Sequence, residues 1–312
     1  MNIYTRALGF SELDSDSEDK LINAAINENL KKQMLVSNDN LSRAVMVLRI
    51  SESTGIYIYG RYEDGSFKYE YYFPFVLGKA KNDNDEITIE RHLDKESFAV
   101  VCDESRTGVT LIFYMQNILD YYNYIYAGAE FKDNPHIAED FSPEKRTLAS
   151  KITLKNKKVS LAALSLGGII MLPTAKKQKP AEKTEEDERN RQRLIQAAKR
   201  GDEKAIESLT IEDIDTYTEL SQRIMKEDVF SIVDSTFMPC GVECDQYSVI
   251  GVIQELYVEK NIYTEEKIYV MVLECNDLVF TMAVNECHLV GEPAVGRRFK
   301  GQIWLQGLVE FT

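Results

Sequence analysis

The last quarter of the chain, from Asp245 to Thr312, limits the fold more than any other stretch. Apolar and polar residues alternate there in three runs that are rich in β-branched and aromatic residues, which is typical of half-buried strands. Gly251 interrupts the first run, where a strand of a small barrel bends, and Glu274–Asp277 predicts a hairpin turn. About five short strands in this space predict a small closed antiparallel barrel of the oligonucleotide-binding (OB) type.

The first half of the chain shows helix and strand patterns in succession. Ser15 and Glu18 form a capping box that predicts the start of a helix. Strand patterns follow, and Asp64-Gly65 separates two of them as a hairpin turn. Between Met115 and Tyr126 the apolar spacing becomes helical. These patterns predict an antiparallel sheet packed with helices, an α+β arrangement.

The longest apolar run, Val159 to Pro173, is too short and too interrupted to span a bilayer. We predict two buried, paired strands there. Gly167 and Gly168 lie between them as turn or bulge residues rather than as part of a phosphate-binding loop, because no nucleotide fingerprint surrounds them.

A densely charged stretch marks the clearest boundary in the sequence. The resulting domain prediction is an α+β domain over 1–175, a charged linker over 176–193, a helical bridge over 194–234 and the small β-barrel domain over 235–312. The predicted fold class is therefore α+β: an N-terminal antiparallel sheet packed with helices, a short helical bridge and a C-terminal OB-like barrel.

Charge and cysteine content constrain the setting. The formal net charge of −14 disfavours attraction to phosphate backbones. The five cysteines are scattered without a framework spacing, and the first residues show no signal-peptide pattern. We expect an acidic cytoplasmic protein without a membrane partner.

Metal and catalytic patterns are sparse. Cys240 and Cys244 are spaced by three residues with no second pair, so we predict buried thiols rather than a metal site, and no cofactor. The three histidines, His92, His136 and His288, have no nucleophile-elbow motif near them. No catalytic residue is assigned, although a site assembled only by folding stays open.

Nucleic-acid binding is the first alternative for the predicted barrel. Arg297, Arg298 and Lys300 form a cationic cluster, and Trp304 is a candidate stacking residue. Acidic residues outnumber basic ones in the same region, which weakens the electrostatic contribution to such binding. The competing interpretation is that the aromatic residues fill the barrel.

The seventeen tyrosines are the most unusual feature of the composition. Clustered tyrosines suit recognition of proteins or carbohydrates, but alternate ones also pack beneath a helix. We select Tyr57, Tyr59 and Tyr72 as candidate protein-contact aromatics on an exposed patch.

Several motifs resemble a family of uncharacterised bacterial proteins known only as a domain of unknown function. They are RALGF at Arg6–Phe10, YFPF at Tyr72–Phe75, SLGGIIMLP at Ser165–Pro173, GDEKAIESL at Gly201–Leu209, EDVFSIVDSTFMPCGVECDQYSVIG at Glu227–Gly251 and GRRFKGQIWLQG at Gly296–Gly307. The resemblance implies no activity and no site residues. It does imply that both halves of the chain belong to one unit.

The leading functional hypothesis is a non-catalytic cytoplasmic adaptor that binds a protein partner. Single-stranded nucleic-acid binding through the barrel and an enzyme whose site is not visible in the sequence remain alternatives. The sequence leaves the oligomeric state and the identity of the partner open.

Overall fold

The computed structural model describes residues 2–12, 14–32, 36–38, 43–63, 66–91, 97–104, 109–127, 151–174, 235–241, 244–276 and 278–311. Met1–Met171 and Ser235–Thr312 form one compact unit, and Leu172–Asp234 form a second. The predicted linker (176–193) and helical bridge (194–234) lie outside the described residues.

The described residues form mainly strands. The strands are β1 (Val36–Asn38), β2 (Arg43–Arg49), β3 (Thr54–Glu63), β4 (Ser66–Val76), β5 (Lys81–Arg91), β6 (Phe98–Glu104), β7 (Val109–Met115), β8 (Lys151–Ser165), β9 (Gly168–Met171), β10 (Thr236–Pro239), β11 (Gln246–Lys260), β12 (Lys267–Cys275), β13 (Leu278–Asn285), β14 (Leu289–Val290) and β15 (Arg298–Val309). The helices are the 3-10 helix Ile3–Leu8, α1 (Ser15–Lys32), α2 (Ile118–Ala127) and the 3-10 helix Glu286–His288. Among the described residues, no helix has the length and apolar character needed to cross a membrane.

Eleven strands, β5 to β15, form one sheet whose pairings close into two rings. The first ring runs β11–β12–β13–β8–β15 and returns to β11, and the second runs β8–β5–β6–β7–β15 and returns to β8. Strands β8 and β15 belong to both rings. Both rings are filled by one continuous apolar cluster, which includes Phe113, Phe280 and Phe299.

The predicted α+β fold with a separate OB-like barrel is wrong. Strands β13 and β15 of the last quarter do not close on each other, because β8 lies between them, parallel to β13 and antiparallel to β15. The last quarter therefore lacks one strand of its own ring and takes it from the middle of the chain. The described residues are mostly β, and the two α-helices among them contact β2 of a separate four-stranded sheet.

Strands β8 and β9 do not pair with each other, contrary to prediction, but continue along one edge of β15. Leu161 lies opposite Gly307 and Gly168 lies opposite Gly301, so the register shifts by one residue between the two strands. At this break the Ser165 hydroxyl donates to the carbonyl oxygens of Gln302 (2.7 Å) and Gly167 (2.9 Å). Gly167 is required because a Cβ atom would lie 2.6 Å from the His288 carbonyl oxygen. The glycine pair marks a bulge.

The four-stranded sheet (β1–β2–β3–β4) is joined to the larger sheet by a buried amide network, which we call the glutamine bridge. The Gln116 Nε2 group donates to the Val76 carbonyl (3.1 Å) and to Gln306 Oε1 (2.8 Å). The Gln306 Nε2 group donates to the Pro74 carbonyl (2.9 Å). Both glutamines are fully buried, so these bonds are shielded from water and fix the position of β4.

The Tyr247 hydroxyl bonds to the edge of β7 at a point where no strand among the described residues pairs with that edge. Strand β7 pairs with β15 only at Tyr114 and Met115. At Ile112 the Tyr247 hydroxyl takes the place of a strand partner, because it accepts from the amide (2.7 Å) and donates to the carbonyl (3.1 Å). A side chain thus satisfies backbone groups that would otherwise be buried without partners.

Tyr247→Phe is expected to lower the free energy of unfolding by about 2 kcal/mol, because the amide and carbonyl of Ile112 lose their partner. Urea unfolding at neutral pH measures this loss. Tyr257→Phe is the matched control, since the Tyr257 hydroxyl donates to Glu255 on the surface. Equal stability of the two variants would contradict a stabilising role for the hydrogen bonds between Tyr247 and Ile112.

Because the Tyr247 hydroxyl ionises at alkaline pH, the free energy of unfolding should depend on pH in that range. Burial, more than the nearby Cys244, Cys102 and Asp245, raises the pKa of Tyr247 from 10.0 to about 12, although its bond to Ile112 opposes the rise. Between these values the unfolded chain ionises Tyr247 while the folded chain keeps the proton. Stability from this group is present below pH 10 and is lost as the pH rises toward 12.

We therefore expect the stability difference between wild type and Tyr247→Phe to shrink above pH 10, since phenylalanine has no proton to lose. The limit is about 1.4 kcal/mol per pH unit. Urea unfolding of both proteins across this range measures the difference. A constant difference would show that Tyr247 ionises equally in both states.

Candidate functional site

A pocket opens between the four-stranded sheet and α2. It is shallow and open to solvent, with a cavity volume of only about 10 Å³. Its lining consists of aromatic rings, aliphatic side chains, one glycine and one carboxylate: Tyr59, Gly60, Glu70, Tyr71, Ile118, Leu119 and Tyr122. We call it the aromatic pocket.

A β-bulge shapes the strand wall of the pocket. Tyr59 lies opposite Tyr71, but the next residue, Gly60, lies opposite Tyr69, so Glu70 is the extra residue on β4. A bulge redirects side chains and twists its strand. Here it places Glu70 at the rim of the pocket, where the carboxylate forms an ion pair with Arg61.

Gly60 permits the close approach of the two strands at this bulge. A Cβ atom at position 60 would overlap the Lys68 carbonyl oxygen and would lie 2.5 Å from the Phe67 ring. Any other residue would push β4 away from β3. The shape of the pocket therefore depends on this glycine.

The aromatic rings of the pocket are held by their neighbours. Tyr59 and Tyr71 stack at 5.1 Å with nearly parallel planes, and Tyr122 meets Phe98 edge to face at 5.6 Å. The Tyr59 hydroxyl donates to the Gln116 carbonyl (2.8 Å). The Tyr71 and Tyr122 side chains are half-buried. The pocket thus has a fixed floor and two accessible aromatic walls.

The electrostatic setting of the pocket is acidic. Burial raises the pKa of Tyr59 well above its usual value, and Tyr114, Tyr57 and Asp120 add to the rise while a hydrogen bond to the backbone at Ile118 opposes it. Asp120 is exposed on α2. Glu70, the one carboxylate of the lining, is paired with Arg61.

The three predicted protein-contact aromatics occupy different environments. Tyr59 is only 6% exposed and belongs to the pocket floor. Tyr57 is half-buried against Phe75, with ring centroids 4.0 Å apart. Tyr72 is half-buried, its hydroxyl accepts from the Asn2 amide (3.3 Å), and burial followed by a hydrogen bond to Glu18 raises its pKa. They do not form one exposed patch.

The candidate nucleic-acid residues follow one another on and just before β15, but two of them are buried. Arg298 is 4% exposed and Trp304 is 7% exposed. The Trp304 ring lies 5.0 Å from Tyr4 and 5.3 Å from Tyr114, so protein rings occupy the space that a base would need. Lys300 is half-buried, and Arg297 donates to the Glu292 carbonyl (2.5 Å).

The cysteines and histidines do not assemble a metal site within the described part of the chain. No group there contains three or more histidine, cysteine or acidic side chains placed to hold a metal ion. Cys240 and Cys244 lie in the loop between β10 and β11. His288 ends the second 3-10 helix, whereas His92 and His136 lie outside the described residues.

Sequence reasoning missed most of the aromatic pocket. Tyr71, Tyr122 and Glu70 line it together with Gly60, yet none was selected from the sequence. The available signal was Gly60, since a glycine inside a strand pattern indicates a bulge or a close approach. The helical spacing between Met115 and Tyr126 predicted α2, but it did not show which of its residues line a pocket.

Comparison with known proteins gives a family but no activity. A family model described as "Domain of unknown function, E. rectale Gene description (DUF3881)" matches residues 5–307, which confirms the resemblance seen in the sequence motifs. Searches of curated proteins and of solved structures returned no match. The chain therefore belongs to the DUF3881 family, whose function is unknown.

Proposed function

We propose that this protein is a non-catalytic binding protein whose aromatic pocket receives one side chain of a protein partner. The observation that carries the proposal is the pocket itself: two half-exposed tyrosine walls over a buried Ile118–Leu119 floor, with a charged rim. Interface hot spots are enriched in aromatic side chains that lose water when a partner covers them, and the two tyrosine walls are of this kind.

The size of the pocket favours a side chain over a small-molecule substrate. Sites for cofactors and drug-sized ligands are usually about 300–1,000 Å³. The cavity volume of the aromatic pocket is only about 10 Å³, room for about one water molecule. A partner side chain would therefore lie against the open faces of the tyrosines rather than fill an enclosed cavity.

The charge of the molecule points to the kind of partner. The net charge of −14 attracts a basic segment and accelerates its encounter with the protein. We therefore propose that the partner presents an aromatic or aliphatic anchor next to lysine or arginine residues. Binding should weaken as salt screens these charges.

A comparative pull-down tests the proposal. The tagged full-length wild type, Tyr122→Ala and the control Tyr263→Ala are incubated with host lysate at low and high salt, with and without nuclease. Tyr263 lies in the turn between β11 and β12 and is 47% exposed, so the control removes a ring of the same kind elsewhere. Bound proteins are identified by mass spectrometry.

The expected result is a protein that wild type and Tyr263→Ala capture but Tyr122→Ala does not, with capture reduced by salt and unchanged by nuclease. The partner's basic segment, made as a synthetic peptide, should then bind wild type about tenfold or more tightly than Tyr122→Ala, as for the loss of one hot-spot contact. Equal capture by all three proteins would overturn the proposal. Partners that disappear with nuclease would support the nucleic-acid alternative instead.

We also propose that this binding takes place in the cytoplasm. The support is the scattered arrangement of the five cysteines, which is typical of thiols kept reduced. Fractionation of host cells, followed by detection of the untagged chain, tests this location. Recovery of the chain outside the cytoplasmic fraction would contradict it.

A further inference from the structure

The loop between β10 and β11 brings two cysteines to one carbonyl oxygen. The Cys240 amide donates to the Gln246 carbonyl oxygen at 2.9 Å, and the Cys244 thiol donates to the same oxygen at 3.4 Å. A Cβ atom built on Gly241 would lie 3.7 Å from the Cys244 sulfur. The Cys244 sulfur therefore lies back toward the Cys240 end of the loop.

One cysteine of the pair is accessible and the other is held in place. Cys240 is exposed and Cys244 is half-buried. The residue after Cys244 is fixed to β15, because Asp245 Oδ2 accepts from Trp304 Nε1 (2.6 Å) and its carbonyl accepts from the Leu305 amide (2.8 Å). A reagent can reach Cys240 while the neighbouring sulfur stays close.

The surroundings bring further polar groups to the pair. Burial raises the pKa of Tyr4 to about 12, and Asp245, Cys240 and Cys244 each add to the rise. The Tyr4 ring lies on Trp304. The two thiols, the phenol and the carboxylate thus form one cluster beside the only tryptophan of the sequence.

We propose that Cys240 and Cys244 are a thiol-oxidation site that forms an intramolecular disulfide with a small-molecule disulfide as the oxidant. Burial, followed by the nearby Cys244, raises the pKa of Cys240, so the reaction proceeds through a thiolate fraction that grows with pH. That thiolate attacks one sulfur of the oxidant, which releases one small thiol and leaves a mixed disulfide. The Cys244 thiolate then attacks the Cys240 sulfur and releases the second small thiol. The protein loses two electrons and two protons, and these convert the oxidant into two thiols.

The remaining cysteines provide internal comparisons for this reaction. Cys102 and Cys275 are buried, and Cys287 is exposed but lies in the second 3-10 helix. An exposed cysteine without a neighbour should stop at the mixed disulfide. A cysteine with a second thiol nearby should convert the mixed disulfide into an intramolecular disulfide, because the second thiol has an effective concentration on the order of millimolar.

The test exposes the full chain to oxidised glutathione and maps the products by peptide mass spectrometry. Wild type should contain about ten times more Cys240–Cys244 disulfide than glutathione adduct at either residue, since closure competes with the external thiol. Trp304 fluorescence should change on oxidation and return on treatment with dithiothreitol. Cys287→Ser is the control and should form the same disulfide as wild type.

Single variants separate the two steps. Cys244→Ser should keep glutathione on Cys240, show no reversible fluorescence change, and retain the emission of the reduced wild type, which shows that it is folded. If wild type keeps as much adduct on Cys240 as Cys244→Ser does, the proposal is overturned. It is also overturned if either cysteine joins Cys287 instead.

Discussion

Gln306→Ala is expected to lower the free energy of unfolding by about 4 kcal/mol, because it breaks the glutamine bridge inside the core. The Pro74 carbonyl loses its donor, and Gln116 Nε2 loses one of its two acceptors. Each buried polar group left without a partner costs about 1–3 kcal/mol. The truncated side chain also leaves a cavity. Urea unfolding monitored by Trp304 fluorescence measures the loss.

Two further variants identify the cause of this loss. Gln302→Ala removes the same side chain from an exposed position of the same strand and should change stability by no more than about 0.5 kcal/mol. Gln306→Leu fills most of the space but cannot form hydrogen bonds, so it should lose nearly as much stability as alanine. Wild-type stability of Gln306→Leu would show that packing, rather than the amide network, joins the sheets.

Gly60→Ala is expected to lower the free energy of unfolding by about 3 kcal/mol, since the new methyl group overlaps the Lys68 carbonyl and the Phe67 ring. A backbone carbonyl in a strand cannot move without disturbing its ladder. Relief of the overlap requires β4 to move away from β3 at the bulge. The same movement carries Glu70 and Tyr71, so the proposed binding of a partner at the pocket should weaken.

The control for this prediction is Gly241→Ala, where the added carbon meets only the Cys244 sulfur at an ordinary 3.7 Å. That variant should keep its stability within about 0.5 kcal/mol and bind the partner normally. Unfolding curves and peptide binding are measured for both variants. A Gly60→Ala protein with wild-type stability and binding would show that the bulge tolerates a side chain.

Local patterns predicted many strands and hairpins correctly because neighbours in sequence form them. The Asp64-Gly65 signal predicted the β3–β4 hairpin, and the Glu274–Asp277 signal predicted the β12–β13 hairpin. The turn residues Asp64, Gly65 and Asp277 themselves lie outside the described residues. The capping box at Ser15 predicted the start of α1 correctly, but the capping side chain is Asp14, which accepts from the Ser17 amide (2.7 Å).

Ring closure could not be predicted in the same way. Alternation shows which residues face a core, but it does not show which distant strand pairs with which. Strand β8 is separated from β13 and β15 by more than a hundred residues of sequence. No local pattern indicates that it pairs with both. The five strands of the last quarter were therefore predicted to close into a barrel by themselves, although closure requires β8.

The prediction that Tyr59 is exposed was wrong for a related reason. Tyr59 was selected as an exposed aromatic, but the register shift at Gly60 and the position of α2 make it a pocket floor. A period-two pattern assigns alternate faces only while the register is unbroken. Half of the pocket comes from a helix about sixty residues later in the chain.

The shared strand β15 has a consequence for folding during synthesis. Both rings close only through β15, and it is the final strand made by the ribosome among those described. Until β15 emerges from the ribosome, β7, β8 and β11 each have a backbone edge that lacks its β15 partner. Such an edge can pair with the wrong strand or with another chain. We expect slow, late and cooperative folding dominated by contacts between distant parts of the chain. Nascent chains that stop before Arg298 should depend on chaperones for solubility.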